Sequence, residues 1–358
     1  MTTDTATTAT AATAPAAGSP AVDIGIAGFG YAFGEDQDVA AVAADYVPDP
    51  ERVVKWGYRT FHRAADDVTA TDLSRQAAQQ ALDRAGITAD ALDLVVVATT
   101  DMPEYSYWDS ASALARELKI ERTQTLLLNE GCGSGVNGLF YVASTFAMQP
   151  EARHALFVVV NRVSEFHRNR MNVINTVLSD AAVAVVVTRG HDANRWLAGE
   201  QFTDPEYSDL LRLDFGGALT PLPPAGWTSA DAPSAYDQVR EQFAGDPAKL
   251  RKFIGERYTR LVEVIEGAAR RAGVSRGDID HVIYLNDVPA SIAAVATPLG
   301  VPVDRTNAAL APDHGHMGGA DQLISLGLQI ERGELNPGDL VALCGISTGR
   351  WCATLIRI

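Results

Sequence analysis

The chain has 358 residues, 47% of them hydrophobic, which is enough for one large domain or two fused ones. Its 29 basic and 45 acidic residues give a net charge of −16, which argues against a nucleic-acid-binding protein. Three cysteines without framework spacing argue against a secreted disulfide protein, and no apolar run reaches the ~18–20 residues of a membrane span. We predict a cytoplasmic protein that acts on neither nucleic acid nor membrane.

Residues 1–21, MTTDTATTATAATAPAAGSPA, contain no Lys or Arg and no apolar core, so they predict a disordered tail rather than a targeting peptide. The next feature is a repeat. RAGITADALDLVVVATT (84–100) recurs without a gap as RAGVSRGDIDHVIYLND (271–287), and each copy predicts the end of a helix followed by a buried strand. The repeat predicts an α/β fold with two duplicated halves, residues 22–195 and 196–358.

Further buried strands follow in chain order. ALFVVVNRV (155–163), AAVAVVVTR (181–189) and LVALCGIS (340–347) are continuous apolar runs, as expected for strands covered on both faces. Residues 201–235 interrupt this series of apolar runs with PLPPAGW and isolated aromatic residues. This composition predicts an inserted, partly irregular cap. Trp227 in this segment could line an acyl pocket or simply pack.

One cysteine stands where a nucleophile could be activated. Cys132 lies in NEGCGSG, between glycines, after the apolar run TLLL and before a helix-like stretch. The glycines permit a sharp bend, and the N-terminus of a following helix favours the thiolate form of cysteine. We interpret Cys132 as a candidate nucleophile, with simple packing as the alternative.

The second half supplies candidate partners. Asn286 and Asp287 end the repeated strand, and His314 and His316 lie in the glycine-framed segment APDHGHMGGADQ. Histidine is suited to proton transfer near neutral pH, and Asp287 could orient it. Further along the chain, CGISTGRW could offer main-chain N–H groups near Ser347 and Thr348 as an oxyanion hole, while Cys344 more simply packs at the end of a strand.

A metal site is the alternative reading of the histidine segment. Asp313, His314, His316 and Asp321 have metal-ligand chemistry, but the sequence offers no partner cluster, so we predict no metal and no bound cofactor.

With these residues in view, the chain resembles the thiolase superfamily, and specifically ketosynthase-III-type proteins. The likeness rests on VVKWGYRTFHRA (53–64), on the strand LDLVVVATT, on the position of Cys132, on Ser179-Asp180-Ala181-Ala182 in place of a Gly-Asp-Gly-Ala pattern, and on the closing strand RWCATLIRI. The resemblance implies a five-layered αβαβα fold with duplicated halves, a homodimer, and an acyl thioester substrate carried by phosphopantetheine or coenzyme A.

The departures from that family indicate the reaction. Decarboxylating members have His-Gln-Ala-Asn and Asn-Thr-Ser motifs, where this chain has Asn286-Asp287-Val288-Pro289 and Gly315-His316-Met317. A carboxylate at Asp287 would repel a malonyl carboxylate and its enolate, but it could orient His316 as a base for a hydroxyl or amine. The pattern resembles ketosynthase-III-like acyltransferases of natural-product pathways.

We therefore predict an acyltransferase of secondary metabolism. Cys132 would take an acyl group from an acyl carrier protein or coenzyme A, and His316 with Asp287 would activate a small hydroxyl or amine acceptor without decarboxylation. Two alternatives remain open. One is a carbon–carbon-forming ketosynthase III or a thiolase-type enzyme with Cys344 as a base, and the other is a non-catalytic partner that binds acyl carriers.

Overall fold

The computed structural model describes residues 22–244 and 246–358. The predicted tail, residues 1–21, lies outside the described residues. The strands of the described part are β1 Ile24–Phe33, β2 Glu35–Asp38, β3 Thr60–Arg63, β4 Leu94–Thr99, β5 Gln124–Leu128, β6 His154–Asn161, β7 Ala181–Arg189, β8 Arg195–Thr203, β9 His281–Ile283, β10 Leu340–Ser347 and β11 Arg350–Arg357. The α-helices there are α1 Val39–Tyr46, α2 Pro50–Val54, α3 Ala70–Ala85, α4 Ser110–Glu117, α5 Ser134–Met148, α6 Ala235–Gln242, α7 Pro247–Ala272, α8 Pro289–Ala296, α9 Ala311–His314 and α10 Asp321–Glu331.

The repeated sequence forms a repeated structure. Helix α3 ends at Gly86 and helix α7 ends at Gly273, with φ angles of +67° and +71°, the left-handed conformation that glycine adopts without strain. Each glycine is followed by a single 3₁₀ turn and then by a buried strand, β4 or β9. The second strand is shorter than its sequence suggests, because β9 ends at Ile283 and the chain bends before Asn286.

The order of the strands is also repeated, and equivalent strands of the two parts follow in reverse order across the sheet. The large sheet runs β5-β4-β6-β7-β1 in the first part of the chain and continues β8-β11-β10-β9 in the second. Strand β4 is parallel to β5 and β6, and β9 is parallel to β10 and to a bridge at Thr306, which takes the position that β5 has in the first part. The two parts of the sheet meet where β1 pairs with β8, at Gly25 and Arg195.

Helices complete five layers. Helix α3 packs outside β1 and β7, and α7 packs outside β8 and β11. Helix α5 lies between the two parts and contacts β4 and β6 on one side and β8 and β11 on the other, with α10 packed against it. This arrangement confirms the predicted αβαβα fold with duplicated halves. The division of the chain at residue 195 stays a prediction.

Most of the segment that was predicted to be irregular is irregular, but its first three residues, 201–203, belong to strand β8. Its role as a cap stays a prediction. After β8 ends at Thr203, the chain forms only short 3₁₀ turns until α6 begins at Ala235. In the described residues, no helix is both long enough and apolar enough to span a bilayer.

A buried ion pair anchors the loop after β6 to the start of β7. Asp180 and Arg170 are both completely buried, and two hydrogen bonds of 3.0 and 2.8 Å join their side chains. The Asp180 carboxylate also accepts the main-chain N–H groups of Ala64 and Val163. Charges this deeply buried are tolerated only when they are paired and hydrogen-bonded.

Substitution of Asp180 by Asn tests this anchor. It leaves the Arg170 charge buried without its main counter-ion, so the free energy of unfolding should fall by about 3–5 kcal/mol, as measured by urea denaturation. The matched control is Asp66→Asn, which removes an ion pair to Arg63 at a side chain that is 87% exposed and should change stability by less than about 1 kcal/mol. Equal effects of the two substitutions would contradict the anchoring role.

Candidate active site

Cys132 lies in a tight turn between β5 and α5. Gly131, Cys132 and Gly133 form one 3₁₀ turn, and α5 begins at the next residue, Ser134. Gly131 has φ = +57°, and a Cβ atom at this position would lie 2.6 Å from the Ser347 hydroxyl oxygen, so both backbone and space require glycine. The nucleophile candidate is thereby held at the N-terminal end of a 15-residue helix.

His316 faces this turn from the second half. Its Nε2 atom lies 3.1 Å from the Cys132 sulfur, and its side chain is almost completely buried. The main chain around it is fixed on both sides, since the His316 N–H donates to the Val177 carbonyl and its own carbonyl accepts from Ser179 N–H. The predicted pairing of Cys132 with His316 is thus present in the structure.

The carboxylate that contacts the imidazole is Asp321, the first residue of α10. Its Oδ2 atom lies 2.5 Å from His316 Nδ1 and also accepts the main-chain N–H of Asn286. Its Oδ1 atom accepts the main-chain N–H of Met317 at 2.7 Å. Asp321, His316 and Cys132 therefore form a continuous carboxylate–imidazole–thiol series.

Asp287 does not take the position that the sequence suggested, and the prediction that it pairs with His316 is wrong. The main chain makes a tight bend in which Asp287 N–H donates to the Leu285 carbonyl, and the Asp287 side chain turns to accept the N–H of Val288. The main-chain N–H of Asn286, not the Asp287 carboxylate, points into the series. The sequence did contain a signal for Asp321, since it begins the amphipathic stretch after Gly318-Gly319.

The surroundings of His316 favour its charged form. Burial by itself lowers the imidazole pKa, but the Asp321 carboxylate and the Cys132 sulfur outweigh burial and hold the pKa well above the usual value for histidine. An imidazole of this kind readily takes the thiol proton, and the resulting thiolate is the nucleophilic form of cysteine.

Asn286 has a structural role in the site. It is 1% exposed, its amide donates to the Gly315 carbonyl, and its carbonyl oxygen accepts from Asn307. Its side-chain groups are thus engaged with the protein.

The remaining predicted residues differ in their position relative to the turn that contains Cys132. Ser347 lies beside the nucleophile turn through its contact with Gly131, whereas Thr348 is exposed. The proposed oxyanion role of this segment stays a prediction. Cys344 is completely buried, and burial raises its thiol pKa well above the usual value.

His314 points away from Cys132. Its Nδ1 atom lies 2.9 Å from His62 Nε2, and His62 Nδ1 contacts the Asp36 carboxylate at 2.8 Å. Burial, followed by the neighbouring His62, lowers the His314 pKa to about 4. This histidine pair, which brings together residues 252 positions apart, was not foreseen from the sequence.

The residues considered for a metal are divided among other partners. Asp313 forms a two-pronged ion pair with Arg59, His314 contacts His62, and His316 contacts Asp321. Within residues 22–244 and 246–358, no group of three or more His, Cys, Asp or Glu side chains is arranged to hold a metal ion.

Comparison with protein families identifies the class. Residues 54–189 match the N-terminal domain of thiolase, and residues 269–358 match the C-terminal region of 3-oxoacyl-[acyl-carrier-protein] synthase III. These matches and the five-layered fold place the chain in the thiolase superfamily.

Comparison with curated relatives identifies the family within this superfamily. β-Ketoacyl-[acyl-carrier-protein] synthase III 2 of Vibrio vulnificus (strain CMCP6) is 30% identical over 306 residues, which cover 83% of this chain and 77% of the relative. Acetoacetyl CoA synthase NphT7 of Streptomyces sp. (strain CL190) is 28% identical over 82% of this chain and 85% of its own length. The chain belongs to the β-ketoacyl-[acyl-carrier-protein] synthase III family, which is a family of enzymes.

Solved structures share the fold. ChlB3, described as an acyltransferase, aligns with a TM-score of 0.81 at 23% identity, over 94% of this chain and 98% of that one. FabH of Pseudomonas aeruginosa PAO1 aligns with a TM-score of 0.76 at 23% identity, over the same shares of the two chains. OleA of Xanthomonas campestris, solved with lauric acid and lauroyl-CoA, has a TM-score of 0.72 at 20% identity, over 94% of this chain and 99% of that one.

Alkylation tests the activation of Cys132. Iodoacetamide at pH 7 should label the native protein once, at Cys132, because Cys344 and Cys352 are completely buried with raised pKa values. His316→Ala should slow labelling about tenfold, since the thiol loses its proton acceptor. The rate is followed by intact mass.

The control is His191→Ala, a histidine remote from Cys132 in the sequence and without a part in this contact. It should label like the unsubstituted protein. Equal labelling of His316→Ala and the unsubstituted protein would show that the imidazole does not activate the sulfur.

Proposed function

We propose that the protein is an acyltransferase of secondary metabolism. It moves an acyl group from a carrier-protein or coenzyme A thioester through acyl-Cys132 to a hydroxyl or amine acceptor, without decarboxylation. The observation that carries the proposal is the Asp321–His316–Cys132 series, with distances of 2.5 and 3.1 Å. A base held by a carboxylate beside a nucleophile is the arrangement used for covalent acyl transfer.

In the first half-reaction the Cys132 sulfur attacks the thioester carbonyl. His316 Nε2 takes the thiol proton, and the tetrahedral oxyanion is held by the Cys132 main-chain N–H and by a donor near Ser347. The carbon–sulfur bond of the donor then breaks, and the proton passes from His316 to the departing thiol. The products are acyl-Cys132 and the free thiol of the donor.

In the second half-reaction an acceptor hydroxyl or amine attacks acyl-Cys132. His316 takes its proton, with Asp321 stabilising the imidazolium, and the sulfur–carbon bond breaks. The proton returns to the Cys132 sulfur, and an ester or amide leaves. The enzyme is thereby restored with no other reagent consumed.

The side chains around His316 argue against a decarboxylating reaction. Decarboxylation of a malonyl thioester produces an enolate, which needs two neutral hydrogen-bond donors. Here the Asn286 amide is engaged by the Gly315 carbonyl, and Asp287 next to it is acidic. The imidazole is held by a carboxylate, which suits it to remove a proton rather than to serve as a neutral donor.

A carbon–carbon-forming synthase is the second candidate, because the curated relatives are named as synthases of β-ketoacyl or acetoacetyl products. A thiolase-type reaction with Cys344 as the base is less well supported, since burial keeps that thiol protonated. A non-catalytic carrier-binding partner has no need of a thiol, an imidazole and a carboxylate in contact.

A cavity lies beside the loop that precedes Val177. It has a volume of ≈ 290 Å³ and lies between the segment that contains Asn172 and Val173 and the irregular cap that contains Trp227. The first segment continues to Val177, whose carbonyl binds the main-chain N–H of His316. We propose that the thioester arm uses this cavity. The homodimer and the cytoplasmic location remain predictions.

Acyl loading separates the three functions. Incubation with acetyl-, hexanoyl- and malonyl-coenzyme A should give a covalent adduct, detected by intact mass, that is absent in Cys132→Ala. A malonyl adduct should keep its carboxylate, because the site lacks the donors that an enolate needs. Loss of carbon dioxide would favour the synthase, and no adduct with coenzyme A or carrier-bound donors would favour the binding partner. Cys344→Ala should still load.

Asp321→Asn tests the base. Without the carboxylate the raised pKa of His316 falls, so the acid limb of the pH–rate profile moves to lower pH, and the maximal rate should fall about 100- to 10,000-fold. The measurement is the discharge of acyl-Cys132 by hydroxylamine between pH 5 and 9.

The control for this profile is Asp313→Asn, three residues before His316, whose carboxylate pairs with Arg59 and not with the imidazole. It should leave the acid limb where it is. An unshifted limb in Asp321→Asn would remove the carboxylate from the mechanism.

A further inference from the structure

Gln322 is a completely buried glutamine in the first turn of α10. It directly follows Asp321, whose carboxylate contacts the His316 imidazole. The Nε2 atom of Gln322 donates to the main-chain carbonyl of Cys344 in β10, over 3.1 Å. The acylation steps described above make no use of this glutamine, although it begins the same helix as Asp321.

The Gln322 amide binds β10 where its neighbouring strand β9 has ended. The two parallel strands pair as far as Leu343 with Ile283, and β9 stops there. Cys344 is the next residue of β10, and its carbonyl is the group that accepts from Gln322. A buried main-chain carbonyl needs a hydrogen-bond partner, and here the side chain supplies it in place of a strand. Gln322 therefore ties the end of β10 to the start of α10.

The end of β10 lies directly against the turn that contains Cys132. A Cβ atom at Gly133 would lie 3.9 Å from the Ser347 Cβ atom, which is ordinary van der Waals contact. A Cβ atom at Gly345 would lie 3.5 Å from the main-chain carbonyl oxygen of Cys132 and 2.9 Å from Gln322 Nε2. The amide and the nucleophile turn thus both contact the same glycine of β10. Any displacement of this strand end changes its distance from Cys132.

We propose that Gln322 is a positioning residue for the tetrahedral intermediate of acyl transfer. This inference rests on the proposed acyl transfer, in which a main-chain donor near Ser347 helps to hold the oxyanion. By binding the Cys344 carbonyl, the amide keeps that donor at its distance from Cys132. Gln322 itself contacts neither the sulfur nor the imidazole through a hydrogen bond, and it exchanges no proton. Because stabilisation of an oxyanion depends strongly on the position of its donors, loss of the amide should slow acylation.

Two reagents that react with the same sulfur provide the readout. 4-Nitrophenyl acetate acetylates Cys132 through a tetrahedral oxyanion: the bond from sulfur to the carbonyl carbon forms, 4-nitrophenolate leaves, and the thiol proton passes to His316. Iodoacetamide alkylates the sulfur by direct displacement of iodide, so no oxyanion forms. Both reactions need the thiolate, and the ratio of their rates therefore isolates the oxyanion contacts.

Gln322→Leu removes the amide and keeps an apolar side chain of similar size. It should lower the ratio of acetylation to alkylation about tenfold or more, because the oxyanion donor is misplaced, while the alkylation rate stays within about twofold. Both rates are followed by intact mass on the full chain, and only an adduct that is absent in Cys132→Ala is counted.

Helix α10 offers a matched control in Gln329, which lies about two turns further along. Gln329 is also buried, and its Nε2 atom donates to the main-chain carbonyl of Thr306 over 2.9 Å. The Oε1 atoms of Gln329 and Gln322 both lack a hydrogen-bond partner among the described residues. Gln329→Leu therefore removes the same kind of contact at another place and should leave the ratio unchanged.

A second variant disturbs the same contact from the strand. Gly345→Ala adds a Cβ atom that would lie 2.9 Å from Gln322 Nε2, so the amide has to move. The ratio should fall in the same direction as in Gln322→Leu. Thermal unfolding checks that each variant is folded, and the ratio itself does not depend on the amount of folded protein. Should Gln322→Leu fail to fold, Gly345→Ala decides.

The outcomes distinguish this inference from the function beneath it. An unchanged ratio in Gln322→Leu, or an equal fall in Gln329→Leu, overturns the positioning role and leaves acyl transfer standing. A parallel fall of acetylation and alkylation also overturns it, since Gln322 would then act on the thiolate and not on the oxyanion. If the unsubstituted protein is alkylated at Cys132 but never acetylated there, the proposed acyl transfer and this inference fail together.

Discussion

The site depends on a close contact between two glycine-containing turns. A Cβ atom at Gly135, in the first turn of α5, would lie 2.0 Å from the carbonyl oxygen of Gly319, and one at Gly319 would lie 3.0 Å from the carbonyl oxygen of Gly131. Main chain therefore packs directly on main chain, which only glycine permits. Because Cys132 belongs to one turn and His316 lies two residues before the other, this contact helps to fix the 3.1 Å distance between sulfur and imidazole. A larger residue at either position would force the two turns apart and would therefore increase the distance between the sulfur and the imidazole.

The duplicated architecture explains why the two turns meet. Helices α5 and α10 form the central layer, and each begins near the point where the two halves face each other. Cys132 precedes α5, and Asp321 is the first residue of α10, so the nucleophile candidate and the carboxylate both lie at the positive ends of helices. His316 lies between them. The imidazole is thus flanked by two groups that each lie at the start of a helix, and neither half could provide this arrangement alone.

Much of this arrangement could be predicted from the sequence, because buried strands and glycine-bounded turns have local signatures. The apolar runs 181–189 and 340–347 coincide with β7 and β10, and Cys132 could be selected from its turn and helix. The choice between Asp287 and Asp321 could not be made locally. It depends on a bend after β9 that turns the Asp287 side chain toward Val288 and presents the main-chain N–H of Asn286 instead. The partner of His314 could not be predicted from the sequence either, since His62 comes from a distant part of the chain.

Asp321 and Asp287, the two carboxylates that could be considered as partners of His316, have different surroundings. Asp321 is completely buried, and its carboxylate accepts two main-chain N–H groups in addition to contacting the imidazole. Asp287 accepts one main-chain N–H, and burial raises its pKa. The first can balance the charge of an imidazolium through a catalytic cycle. The choice of Asp321 over Asp287 as the partner of His316 is thus made by the main-chain N–H groups that surround each carboxylate.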